Sequence, residues 1–240
     1  MGNAFFTHHS LLTIHVLKFF TYIRYFFYLA WNWNIVIAIF IIYHEIRGEK
    51  KYGIRTSGYD ELKHLQEKGI DLSHSTIYMP VNFYMLEKMM GEISKCEHNG
   101  NFLDIGCGKG RAMAVAAYYG FKKITGIDIS KEFIDETKKN LAHVQQKFPG
   151  VKFEAMLQDA FYYNIPKEIS VIFLFNPFDE VIMSGVVENI LMSQEKNRRT
   201  IWVIYINPLY ENLFLENGFV KTRVHKKLKW LQGAIFEKTI

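Results

Sequence analysis

The stretch that most constrains this chain is Asn101 to Ser130, NFLDIGCGKGRAMAVAAYYGFKKITGIDIS. A short apolar run, Phe102 to Ile105, carries Asp104 and then meets glycines at every second position, Gly106, Gly108 and Gly110. An alanine-rich stretch follows, Arg111 to Tyr119. Then comes a second apolar run, Lys123 to Ile127, closed by Asp128. The order is strand, glycine turn, helix, strand, acid, which is one half of a nucleotide-binding βαβ unit. Each residue type has a physical reason. Glycine admits positive φ and leaves room for a ligand against the main chain. The helix after the turn offers unpaired N–H groups. A carboxylate at the end of the second strand lies beside the ligand crevice of an open α/β sheet and can accept both hydrogen bonds of a ribose diol.

The glycine spacing separates nucleotide classes. Dinucleotide sites carry G-x-G-x-x-G. Here the third glycine comes one residue early, and Arg111 stands where that pattern wants glycine. The sequence D-x-G-x-G-x-G, with Asp128 after the next strand, resembles the first motif of the class I (seven-strand) S-adenosylmethionine-dependent methyltransferases. The resemblance runs over roughly residues 76–240. It implies a doubly wound α/β domain with a mostly parallel seven-stranded sheet and an antiparallel C-terminal strand. It also implies S-adenosyl-L-methionine as cofactor. Asp104, Gly106, Cys107, Gly108 and Gly110 would surround its methionine part, with Asp128 and Ile129 at the ribose. Asp159 would meet the adenine amino group and Ala160 the ring. In related enzymes an aromatic or polar residue just before the preceding helix closes over the methionine end, and Tyr78 and Asn82 are the candidates. The alternatives are an NAD-type site and a glycine turn without cofactor.

The resemblance also places the acceptor. Ile169 to Phe175 is a near-continuous apolar run, as a parallel strand buried on both faces requires, and Asn176-Pro177-Phe178-Asp179 follows it. Methyltransferases of amino groups in adenine or glutamine carry Asn/Asp-Pro-Pro-aromatic there. This chain has a single proline, which departs from that pattern. Asn176 is expected to orient an amine through its side-chain carbonyl and to touch the cofactor, with Phe178 walling the acceptor pocket. The expected function is methyl transfer to a protein lysine or to a membrane-associated small molecule. The alternative is a non-catalytic sensor or scaffold that binds the same cofactor. No G-x-S-x-G motif and no cysteine paired with a base points to covalent catalysis. The nine histidines are scattered, so no metal site is expected. Two cysteines, Cys96 and Cys107, make neither a disulfide framework nor a zinc site. No aromatic platform with interleaved basic residues favours nucleic acid.

The remaining chain divides into a hydrophobic segment over 1–44, a charged connector over 45–75, and the methyltransferase domain over 76–240. Residues 1–44 contain no acid, and Tyr25 to Tyr43 carries no formal charge. As one helix, that stretch would span nearly 30 Å, the thickness of a bilayer core. A membrane anchor over 25–43 is therefore expected, with Asn32 and Asn34 as polar interruptions. The other readings are a helix lying in the interface, a long hydrophobic hairpin with Leu11 to Phe20, and a helix capping the domain. Arg47, Lys50, Lys51 and Arg55 after the span would place the catalytic domain on the cytoplasmic side. A short amphipathic helix is expected over 59–69, and a core helix after Pro80 with Leu86, Met89, Met90 and Ile93 inward.

Overall fold

A computed structural model of the chain describes residues 19–58, 79–175 and 178–240. A helix over 19–32, here α1, leads into α2 (Ile35–Tyr52). The α/β unit then runs α3 (Phe83–Ile93), β1 (Asn101–Ile105), α4 (Arg111–Tyr118), β2 (Lys123–Asp128), α5 (Lys131–Lys147) and β3 (Lys152–Leu157). It continues with β4 (Val171–Phe175), α6 (Glu180–Lys196), β5 (Ile201–Ile206), α7 (Glu211–Glu216), β6 (Val220–Lys227) and β7 (Leu231–Lys238). The amphipathic helix expected over 59–69 lies outside the described residues.

The seven strands form one sheet in the order β3-β2-β1-β4-β5-β7-β6. β1 to β5 run parallel, and β7 enters antiparallel between β5 and β6. This is the expected doubly wound sheet with its antiparallel C-terminal pair. Alternation along the strands feeds two cores. Phe102, Phe173, Ile204 and Ile235 face α3, α4 and α5. Leu103, Ile172, Val203 and Phe236 face the layer of α6 and α7. Because the central strands are parallel, the carboxyl ends of β1, β2, β4 and β5 open on one side, and ligands bind at that edge in such sheets.

The N-terminal segment corrects an expectation. Residues 25–43 do not form one helix. The first helix stops, and Asn34 takes an extended conformation, with φ −170° and ψ 167°. Its Oδ1 accepts from the Ile37 N–H at 2.9 Å, so it is the N-cap of α2. Asparagine is among the strongest N-cap residues, because its side chain satisfies a backbone donor that the helix leaves open. Among the described residues no helix is long and apolar enough to cross a membrane. The two helices instead pack against each other, burying Tyr25, Leu29, Ile37, Ala38 and Ile41 between them.

α2 is tied to the α/β unit by charge. Glu45 is fully buried and pairs with Arg111, the first residue of α4. The pair is bidentate, Nη1 to Oε1 at 2.7 Å and Nη2 to Oε2 at 2.6 Å. The guanidinium also donates to the Thr56 hydroxyl and the Val81 carbonyl, and lies 4.0 Å over the Phe83 ring. One turn on, Glu49 accepts from the N–H groups of Thr56 and Ser57 and from the Tyr22 hydroxyl. Burial raises the Glu49 pKa, but these donors outweigh it and hold the carboxyl below its usual range. Gly48 completes the contact, since a Cβ there would occupy the Phe83 ring.

A buried charge that loses its partner costs about 3–5 kcal/mol. Glu45→Ala is therefore expected to lower the melting temperature by roughly 10 °C, at about 2–4 °C per kcal/mol for a chain of this size. Thermal unfolding followed by circular dichroism checks this. An unchanged midpoint would mean that the pair contributes nothing to the fold.

Candidate active site

The glycine turn has the geometry its sequence requires. Gly106, Gly108 and Gly110 all take positive φ, at 76°, 51° and 80°. The turn is held from below, where the N–H groups of Gly106 and Cys107 both donate to the Ile127 carbonyl at 2.9 Å. It is held from the side by α5. The Thr137 hydroxyl donates to the Gly108 carbonyl at 2.7 Å, and Asn140 Nδ2 donates to the Lys109 carbonyl at 2.9 Å. Thr137 and Asn140 were not singled out in the sequence. Their i, i+3 spacing on one face of α5 is the only signal they carried. Gly126 on β2 was missed as well. A Cβ there would run into the Met113 sulfur and crowd Cys107, so this glycine lets the turn lie against the sheet.

α4 begins at Gly110 with no side-chain cap. Its first N–H groups are therefore open to a ligand carboxylate, as the reading of the turn anticipated. Asp128 ends β2 beside the turn. Its Oδ2 accepts from the Gly108 N–H and its Oδ1 from the Ser130 N–H, both at 2.8 Å. Each oxygen keeps a second acceptor position for a diol. The neighbouring Ile129 side chain is exposed. Asp104 is buried beneath them. Burial pushes its carboxyl well above the usual range, and the nearby Asp128 adds to the shift. Burial raises Asp128 too, opposed by the Ser130 and Gly108 N–H groups. Cys107 is a buried thiol, and burial, with Asp128 and Asp104 beside it, keeps it protonated. It is part of the turn and not a nucleophile.

The other candidates are less tightly held. Asp159 follows β3, and its Oδ1 accepts from the Phe161 N–H at 2.9 Å, a local turn that leaves Oδ2 without a partner among the described residues. Ala160 is buried in the core on the α6 side. Phe178 is half-buried against that same core. Asn82 caps α3 through Oδ1, at 3.0 Å from the Tyr84 N–H. Tyr78 and Asn176 lie outside the described residues. Among the described residues no group of acids, histidines and cysteines could hold a metal ion.

These residues fit the cofactor that the resemblance named. Three positive-φ glycines leave its approach open, an uncapped helix N-terminus faces it, and a carboxylate stands at the end of the adjacent strand.

That fit agrees with what the chain resembles. Residues 96–232, more than half of the chain, match the family described as methyltransferase domain. No curated protein matches the sequence. Among solved structures, a provisional methyltransferase from Escherichia coli aligns at TM-score 0.50 and 14% identity, over 65% of this chain and 86% of that one. A SAM-dependent methyltransferase from Aquifex aeolicus aligns at TM-score 0.48 and 15% identity, over 63% and 88%. The magnesium protoporphyrin IX methyltransferase from Synechocystis, solved with bound SAH, aligns at TM-score 0.47 and 15% identity, over 64% and 80%.

The raised pKa of Asp104 gives a signed expectation. A carboxyl whose folded pKa exceeds its unfolded value of about 4 stabilises the fold fully below that pH, and the contribution is lost as pH rises through the folded pKa. Asp104→Asn removes the loss without changing shape. The melting temperature of the variant should therefore gain on wild type steadily between pH 4 and pH 8, in the absence of cofactor. A constant difference across that range would mean that Asp104 does not titrate with folding. The chain belongs to the methyltransferase-domain family, and its methyl donor is S-adenosylmethionine.

Proposed function

We propose that this enzyme methylates an amine presented at the carboxyl ends of β4 and β5, on a protein lysine or on a membrane-associated small molecule. The observation that carries the reading is the convergence of the glycine turn, the open start of α4 and Asp128 on the edge where those two strands also end. Bound S-adenosylmethionine supplies a sulfonium methyl: the amine lone pair forms the new C–N bond as the C–S bond breaks, its electron pair staying on sulfur, and the amine proton leaves to water. The protein's part is alignment and electrostatics, since the leaving group needs no covalent help. Asp104 and Asp128 set two carboxyl groups beneath the positively charged donor. Asn176 follows β4 directly in sequence and is assigned to orient the amine, with Phe178 as a wall of its pocket.

Transfer of a labelled methyl from S-adenosylmethionine to a cell extract, separated into protein, lipid and small-molecule fractions, tests this. Label is expected in one fraction and reduced at least a hundredfold by Asn176→Ala, within the range that positioned groups contribute. Cofactor binding without any transfer would leave only the sensor reading.

A second observation bears on where the acceptor is met. The outer side of α1 and α2 exposes Phe19, Phe20, Phe27, Trp31, Ile35, Val36 and Ile39, with Phe27 66% and Trp31 91% exposed. Residues 1–44 include no acid to repel an anionic surface. We infer that this face rests on an anionic membrane, lying in the interface without spanning it. The full chain should pellet with phosphatidylcholine–phosphatidylglycerol vesicles, and a Phe27→Glu, Trp31→Glu double variant should not. Equal pelleting of the two would remove this face from membrane contact.

A further inference from the structure

The α1–α2 hairpin has an inner side as well as an outer one. Between it and the sheet lies a cavity of about 160 Å³. Tyr25, Leu29, Trp33, Ile37 and Ile41 form its roof. Phe175, the last residue of β4, and Ile206, the last of β5, form its floor, with Trp230 from the β6–β7 turn and Leu231, the first residue of β7, closing one side. The walls are mostly hydrocarbon and aromatic. A space of about 150 Å³ is enough for a benzene-sized molecule.

Three amide side chains break the pattern, Asn82, Asn207 and Gln232. Asn82 is 93% buried, its relative exposure being 7%. Oδ1 is used in capping α3, while Nδ2 has no hydrogen-bond partner among the described residues. Asn82 lines the cavity. An unsatisfied buried amide donor costs about 1–3 kcal/mol, and a bound molecule with an accepting atom would remove that cost. A largely apolar pocket with a few placed polar groups is the usual composition of a small-molecule site. Its floor lies at the strand ends where methyl transfer is placed.

We propose that this cavity holds the body of the methyl acceptor, and that the acceptor is a small apolar molecule. A ring or short hydrocarbon chain fills the space under the hairpin, and an oxygen or nitrogen on it accepts from Asn82 Nδ2. The inference rests on the methyltransferase reading and narrows it, because the lining is mostly apolar with three amides and offers no carboxylate to draw in a lysine ammonium. It also moves Asn82 from the cofactor's methionine end to the acceptor.

4-Propylphenol, an apolar body with one accepting oxygen, is the probe. Its binding to the full chain loaded with S-adenosylhomocysteine is measured by calorimetry. Leu29→Phe fills the cavity from the roof. Asn82→Asp keeps the α3 cap, since aspartate caps as well as asparagine, and removes the donor. Each variant is expected to weaken the probe at least tenfold while S-adenosylhomocysteine binds within twofold of wild type and melting curves stay cooperative. Absence of probe binding in the wild type, or equal binding in Leu29→Phe, overturns the proposal. So does a fall in S-adenosylhomocysteine affinity in Asn82→Asp, which would return that side chain to the cofactor. In the transfer assay, label is expected in the small-molecule or lipid fraction and to fall at least tenfold in Leu29→Phe. Label on protein at an unchanged rate in that variant overturns the proposal while leaving the methyltransferase reading intact. Failure of the wild type to bind S-adenosylhomocysteine would instead remove that underlying reading.

Discussion

The Arg111 guanidinium beneath the hairpin is the interaction on which the rest of the arrangement depends. It is the first residue of the helix that opens the cofactor site, and its charge is neutralised by Glu45, a residue 66 positions earlier on α2. Water is excluded from both groups, so neither can lose the other cheaply. The same guanidinium holds the Val81 carbonyl and the Thr56 hydroxyl. Three segments that share no local sequence are thereby drawn to the base of one turn. The glycine turn, the approach to α3 and the end of the hairpin are fixed relative to one another by a single side chain.

The acids on the other side of the turn work in the opposite sense. Asp104 and Asp128 are held near each other with little compensating positive charge, and both are shifted upward by burial. A structure stabilised only for its own sake would not place them so. Two carboxyl groups poised against each other are relieved by a cation between or above them. The sulfonium and amino groups of the methyl donor are such cations.

Local patterns were legible in the sequence and long-range pairings were not. Gly106, Gly108, Gly110 and Asp128 could be read because a strand, a tight turn and a helix are short-range events, and their residue types follow from backbone geometry. The mostly parallel seven-stranded sheet followed from resemblance and from apolar runs such as Ile169 to Phe175. Glu45 was read as part of a charged connector, because nothing near it in sequence announces a partner so far along the chain. The oddity that pointed to it was Arg111 standing where another nucleotide motif has glycine. The span over 25–43 failed for a local reason that was visible, Asn34. Hydropathy averages over nineteen residues or so, whereas one capping side chain ends a helix. Thr137 and Asn140 stayed hidden because a polar pair on a helix face is usually solvated. Only the fold reveals that these two grip the turn.

Asn34 does more than end a helix. By turning the chain back it gives the N-terminal segment two apolar faces, one outward and one over the sheet edge, where a straight helix would have had a single continuous surface. The catalytic unit thus acquires its ceiling from its own leading residues. A transplant that joined the α/β unit to a different N-terminal segment would carry Arg111 without its counter-ion and the ends of β4 and β5 without a roof.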